Sequence, residues 1–344
     1  MEQIYVDVPG NGYPVYMERG LLGRCGACLP PEIERWFILC DETVAAYYAE
    51  TVTKSIGARH GGTLTFPAGE GSKSLAVYED LCRRLLVLGI TRRSGILALG
   101  GGVSGDLAGF VAATVLRGVA LVHLPTTLLA QVDSSIGGKT GLDLPEGKNL
   151  LGAFYQPRMV LIDPDCLTTL PRREWCSGMA EVIKYGMIAD REILQELESE
   201  SPNIFALIRC CCGIKAALVA RDERDGGARR LLNFGHTFGH VYEAWGNFSR
   251  WTHGEAVAAG MMQILRWQVR HGDDVEALQA RLGALLEKFS LPLSISCPVE
   301  QARCYLLRDK KRSGDTISIV RVRQAGSAEV EAIPVEELWE GWNE

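Results

Sequence analysis

The feature that most limits what this chain can fold into is the apolar run Gly95-Ile96-Leu97-Ala98-Leu99. It breaks at Gly100-Gly101-Gly102-Val103-Ser104-Gly105-Asp106 and resumes with helical spacing from Leu107 to Val115. A strand, a glycine turn and a helix in that order make one βα unit. More such units surround it. Strands are predicted at 36–40, 63–66 and 120–124, and helices at 43–56 and 74–88. This alternation predicts an α/β domain with a largely parallel sheet over residues 1–171. Beyond Leu170-Pro171, apolar residues recur at three- and four-residue spacing to about Leu291 with almost no strand pattern, so residues 172–344 are predicted to form a mainly α-helical domain. The β-branched runs 316–320 and 329–333 predict a small hairpin before a closing helix. A site is expected in the cleft between the two halves.

Composition removes several function classes. The chain's 344 residues suffice for two cores, and 47% hydrophobic with 23% charged residues is ordinary for a globular protein. A net charge of −6 gives no footprint for nucleic acid or an anionic membrane, so an anionic substrate needs local cations. The N-terminal stretch Met1 to Val8 lacks a basic and an apolar region, and nowhere do 18 apolar residues run together. A cytosolic protein without membrane contact is expected. Its 11 cysteines include one isolated pair at CxxC spacing, Cys25 and Cys28, and are read as free thiols. Cys210-Cys211-Cys212 point in different directions around a helix, and are read as packing.

Chemistry concentrates in four places. Leu231 to His240 together with Trp251 to Glu255 gathers His236, His240 and His253, and imidazole is the commonest metal ligand. His236 and His240 share a helical face, and a third ligand is open to His253 or to a carboxylate elsewhere. The glycine turn formally satisfies GxGxxG and offers backbone N–H groups to a phosphate at a helix N-terminus. It departs from the usual dinucleotide fingerprint in lying in a later βα unit, with Pro125 where a ribose-binding acid would stand; Asp41 is the substitute. Pro125 to Gly141 brings Asp133, hydroxyls, glycines and Lys139 together, with Lys148-Asn149 nearby, as an anion cradle. Glu181 and Lys184, three apart in an apolar helix, form an ion pair or else a metal ligand beside a substrate contact.

Read in order, these blocks resemble the 3-dehydroquinate synthase family of sugar phosphate cyclases. The resemblance runs from Pro67-Ala68-Gly69-Glu70-Gly71-Ser72-Lys73 through the glycine turn, 133–149, Gly152 to Pro157, Ala180 to Gly186, Gly235 to His240 and His253 to Met261, to Arg308-Asp309-Lys310-Lys311. It implies a Rossmann-like NAD-binding domain, a helical domain holding zinc or cobalt, and a homodimer. The implied metal ligands are Glu181, His236 and His253, which leaves His240 for substrate phosphate and proton traffic. Implied NAD contacts are Asp41, Glu70, Lys73, Gly102, Val103, Ser104, Gly105, Asp106, Thr126, Thr127, Lys148, Cys166, Leu167, Thr168 and Thr169. Implied substrate contacts are Asp133, Lys139, Asn149, Lys184, Lys215, Arg229, Asn233, His240 and Lys310 or Lys311, with Arg117 reaching in from the partner subunit. Catalytic roles are implied for Lys139, Lys184, Asp225, Asn233 and His240.

The implied reaction converts 3-deoxy-D-arabino-heptulosonate 7-phosphate to 3-dehydroquinate and phosphate. It proceeds by transient oxidation with NAD, elimination of phosphate, return of the hydride and an intramolecular aldol. Three places depart from the family pattern: Asp225 stands for glutamate, Phe234 for leucine, and the run Leu142-Asp143-Leu144 is unusual. Cyclases acting on other sugar phosphates differ in the block from Asp133 to Lys139, which here keeps the dehydroquinate form. A metal-dependent polyol dehydrogenase of similar architecture would reduce NAD in net terms and would have no use for cations that meet a phosphate. A non-enzymatic binding protein would be expected to lack ligands, and none is missing.

Overall fold

Along Arg35–Asp41, Trp36, Ile38 and Cys40 enter one apolar cluster while Phe37 and Leu39 enter another. A strand buried on both faces needs neighbours at both edges and helices on both sides, the setting of a parallel sheet. The structure is a computed structural model that describes residues 1–306, 312–313, 315–339 and 342. Its chain divides into two compact units, residues 1–170 with 215–224, and residues 171–214 with 225–344.

The first unit holds strands β1 (Glu2–Val6), β2 (Tyr13–Met17), β3 (Arg35–Asp41), β4 (His60–Phe66), β5 (Ser94–Gly100) and β6 (Ala120–Pro125). A separate hairpin follows, β7 (Lys139–Leu144) and β8 (Gly147–Phe154), and then β9 (Met159–Ile162). The main sheet has the order β1-β2-β9-β6-β5-β3-β4, parallel except for the β1–β2 pair. The expected α/β class is thus present, and the four strands read from the sequence are β3 to β6. The N-terminal hairpin, β9 and the β7–β8 hairpin were not anticipated.

Helices α1 (Cys25–Cys28), α2 (Glu42–Val44), α3 (Glu50–Ile56), α4 (Leu75–Val87) and α5 (Gly102–Thr114) complete this unit. The expected helix at 43–56 is α2 and α3 joined by a π-helical stretch, Ala45–Ala49. From β3 the chain moves outward to β4 and then returns to the other side of β3 as β5. The order therefore reverses between β3 and β5, and the carboxyl ends of these two strands bear Asp41 and the glycine turn. In an open α/β sheet that crevice is where ligands bind.

The second unit holds α6 (Arg172–Ile188), α7 (Arg191–Glu198) and most of α8 (Ile204–Arg221). It continues with α9 (His236–Trp245), α10 (His253–Arg270), α11 (Glu276–Lys288) and α12 (Val299–Leu306). The C-terminal hairpin is β11 (Thr316–Gln324) with β12 (Ser327–Pro334), to which the two residues of β10 (Arg312–Ser313) pair. Where a closing helix was expected, the described residues form a 3-10 turn, Val335–Trp339. From Cys176 to Ile188 every residue of α6 is buried, so this helix lies at the centre of its unit. Among the described residues, no helix is long and apolar enough to cross a membrane.

Candidate active site

Glycine lets α10 approach two neighbours closely. A Cβ at Gly254 would overlap the carbonyl of Ser177 on α6, and one at Gly260 would overlap the carbonyl of Gly235 at the start of α9. Gly254 N–H also donates to Ser177 Oγ at 2.9 Å. The first turn of α10 is fixed by a capping box, in which Thr252 and Glu255 satisfy each other's backbone N–H groups. Three helices so pinned bring together Glu181 from α6, His236 from α9 and His253 from α10, with one ligand atom of each within 4.8 Å of the others.

Glu181 is fully buried, and neither of its carboxylate oxygens accepts a hydrogen bond of ordinary geometry. Oε1 lies 3.4 Å from Nε2 of His253 and 3.8 Å from Nε2 of His236, and Oε2 meets the buried ammonium of Lys184. The Nδ1 of His236 sits 3.1 Å from the carbonyl of Phe234, which fixes its proton there and puts the lone pair on Nε2. Burial alone would lower the pKa of His253, but the Glu181 and Glu243 carboxylates at its two nitrogens raise it to about 10. One buried carboxylate with two imidazole lone pairs is a donor set that suits zinc or cobalt. The residues present therefore fit a divalent cation. His240, one helical turn on, is exposed and packs edge-on against His236 with ring centroids 5.6 Å apart. It is outside the ligand set.

The remaining second-unit residues lie on the short segment that leads into α9. Arg229 is buried and Asn233 half-buried, both in the 3-10 stretch Ala228–Asn233, and Asp225 precedes it with φ 60°. Lys310 and Lys311 lie outside the described residues.

In the first unit the glycine turn ends β5 and opens α5. Gly100 has φ 149°, and a Cβ there would overlap Ser104, so only glycine allows this turn. Gly101 supplies no side-chain cap to α5. The N–H groups of Gly102, Val103 and Ser104 stand in the first turn of a helix, where no intrahelical carbonyl meets them, and such a turn fits a pyrophosphate. Asp41 accepts from Val44 N–H at 2.9 Å and from Ser104 Oγ at 3.4 Å, which brings the substitute ribose acid to the same turn. Thr126 N–H donates to Gly100, and Thr127 Oγ1 accepts from Ala130 N–H. Gly105 packs on His123. The 3-10 stretch Pro164–Thr169 carries Cys166, Leu167, Thr168 and Thr169, and Tyr48 bonds both Cys166 O and Thr169 Oγ1.

A second polar group of the first unit centres on Lys73. Its ammonium lies 2.9 Å from Asp106, 2.6 Å from Asn149 Oδ1, 3.3 Å from Glu70 and 3.7 Å from Asp143. Burial would lower the Lys73 pKa, but Asp106, Glu70 and Asp143 hold it raised. Burial pushes Asp106 up. Glu70 is kept below the usual range despite its burial, because Lys73 and Lys148 flank it. Asp133 is ion-paired with Lys215 on α8. Lys139 is exposed at the start of β7, and Arg117 is exposed on the turn after α5, with φ 69°.

Two residues escaped the sequence reading. Asp143 receives the Asn149 N–H at 2.8 Å and so holds the β7–β8 turn toward Lys73. Glu243 faces Nδ1 of His253 at 3.5 Å. Glu243 lies seven residues after His236, a spacing that marks one helical face.

Two family profiles match the chain, described as 3-dehydroquinate synthase N-terminal over residues 63–177 and 3-dehydroquinate synthase C-terminal over residues 178–312. The 3-dehydroquinate synthase of Streptococcus suis (strain 05ZYH33) is 42% identical, covering 98% of this chain and 99% of its own. Among solved structures, a 2-deoxy-scyllo-inosose synthase complexed with carbaglucose-6-phosphate, NAD+ and Co2+ superposes with TM-score 0.88 at 26% identity, covering 98% of each chain. A 2-epi-5-epi-valiolone synthase of Streptomyces hygroscopicus subsp. jinggangensis 5008, with NAD+ and Zn2+ bound, gives 0.85 at 26% identity, covering 95% of this chain and 94% of its own.

Proposed function

We propose, from the premise that the chain belongs to the 3-dehydroquinate synthase family, that it converts 3-deoxy-D-arabino-heptulosonate 7-phosphate to 3-dehydroquinate and inorganic phosphate. The observation that carries this reading is the convergence of Glu181, His236 and His253 in a chain matched to such synthases over nearly its whole length. NAD and one divalent cation, zinc or cobalt, are its cofactors. When bound, the cation polarises neighbouring oxygens of the sugar while NAD takes up and later returns a hydride.

The side chains then have distinct tasks. Glu181, His236 and His253 hold the cation. Asp41, Glu70, Lys73, Lys148, the turn from Gly102 to Asp106, the Thr126-Thr127 pair and 166–169 hold the nucleotide. Arg229 and Lys215 bind the substrate carboxylate, for which a guanidinium is suited to two parallel hydrogen bonds. Asp133, Lys139, Asn149, Lys184 and Asn233 orient the sugar hydroxyls. His240, exposed beside the cation site, meets the phosphate and moves protons with the Asp225 carboxylate. Arg117 of the partner subunit and a lysine at 310 or 311 complete the phosphate contacts in a cytosolic homodimer.

Elimination of phosphate needs an acidic C–H beside a carbonyl, so oxidation must come first and be undone afterwards. The expected result is phosphate release from the heptulosonate phosphate with no build-up of NADH, followed together in one assay with purified protein, NAD and zinc or cobalt. Stoichiometric NADH would identify a polyol dehydrogenase instead. Absence of turnover by protein that retains metal and NAD would mark a binding protein.

A further inference from the structure

The carboxylate of Glu243 on α9 is 3% exposed and lies 3.5 Å from Nδ1 of His253. On the opposite side of the same imidazole, Nε2 lies 3.4 Å from Oε1 of Glu181. The ring therefore has a buried carboxylate at each nitrogen. An imidazole that gives a lone pair to a cation through one nitrogen must carry its proton on the other, and a buried carboxylate needs a donor. The two requirements are met by one contact. His236 solves the same problem differently, with the backbone carbonyl of Phe234 at its Nδ1. A carbonyl is neutral; Glu243 brings a full charge.

We propose that Glu243 is a positioning residue for the metal centre. It keeps the proton on Nδ1 of His253, turns Nε2 toward the cation and raises the donor strength of the ring. Because it faces the nitrogen remote from Glu181, it acts through His253 and is not a fourth ligand. The inference rests on the metal centre proposed above and adds to it a residue that fixes the tautomer of one ligand. Outer partners of this kind are worth about tenfold to a hundredfold in metal affinity.

The variant E243Q keeps volume and one acceptor oxygen but loses the charge. Zinc affinity, read by competition with a chromophoric chelator, is expected to fall by about tenfold or more. The visible absorption of the cobalt form should change, while the melting temperature of the metal-free variant stays near that of wild type. The second measurement needs no variant: in the zinc-loaded wild type with 15N-labelled histidine, His253 should show a proton bonded to Nδ1. E243Q that binds zinc within about twofold of wild type and gives the same cobalt spectrum overturns the inference, as does an unprotonated Nδ1 in the wild type. Wild-type protein that takes up no zinc or cobalt would instead sink the metal centre itself.

Discussion

At the residue scale, the decisive group is Glu181, a carboxylate removed from water and answered by an ammonium and two imidazoles. Removing one imidazole should cost the cation while leaving the fold. His253→Ala is expected to lose metal retention, measured by elemental analysis after dialysis, with the far-ultraviolet dichroism of wild type; full occupancy would take His253 out of the ligand set. His123 makes a different prediction. Its ring is buried beside Gly105, and burial pushes its pKa from 6.5 down to about 4. The unfolded chain then binds a proton between these two values that the folded chain refuses, so stability is full above pH 6.5 and declines as pH falls toward 4. The loss approaches roughly 3 kcal/mol. Urea titrations from pH 7 to 4 should show a shallower decline in His123→Gln than in wild type. The three residues that converge, Glu181, His236 and His253, could be named from the chain because histidine is rare in it and the motif blocks are long. Glu243 was missed, since its partner nitrogen belongs to another helix and its seven-residue spacing from His236 gives a shared face but no partner.

At the scale of elements, the metal centre depends on how closely helices approach one another. Gly254→Ala would drive a methyl into the Ser177 carbonyl, and the expected cost is about 2–4 kcal/mol together with weaker zinc binding, because His253 is the adjacent residue. Gly283 on α11 is the control. Among the described residues, a Cβ there meets only Met262 Cε, at 4.0 Å, so Gly283→Ala should be neutral or stabilise by up to about 1 kcal/mol. Equal effects of the two substitutions in chemical denaturation would refute the close-packing argument. Periodicity revealed β3 to β6 and the long helices because each buries a continuous face. It did not reveal the β7–β8 hairpin, whose strands include Gly141 and Gly152, nor the short β9, whose apolar run is too brief to tell from helix. In the sequence Lys139 to Gly141 and Lys148-Asn149 read as parts of an anion cradle, and the backbone pairing of the strands that carry them appears only in three dimensions.

At the scale of the whole molecule, the proposed nucleotide contacts belong to the first unit and the proposed cation ligands to the second, so the two cofactors should be separable by mutation. Lys73→Met is expected to weaken NAD binding by an order of magnitude in calorimetry while zinc affinity stays unchanged. Parallel loss of both affinities would contradict that separation. The proposed role of Arg117 makes a test of assembly. Inactive Arg117→Ala and inactive Lys184→Ala protomers, mixed after dissociation, should regain roughly a quarter of wild-type activity, since half the dimers are mixed and each of those has one unimpaired site. No recovery would place Arg117 in its own subunit's site, and an active Arg117→Ala protein would place it outside catalysis. The division of the chain into a sheet-rich and a helical part was legible from the change in period near Pro171, but the return of residues 215–224 to the first unit was not. Nothing in the spacing of α8 marks the point where its neighbours change.

That return has an evolutionary consequence. The first unit reclaims a stretch of chain bearing Lys215, the counter-ion of Asp133, from within the sequence of the second. A single genetic crossover near Leu170 would therefore deliver a sheet half without one of its own cations and a helical half carrying a foreign insert. A recombinant joined at that point keeps the ion pair only if the incoming half also bears a cation at the position of Lys215.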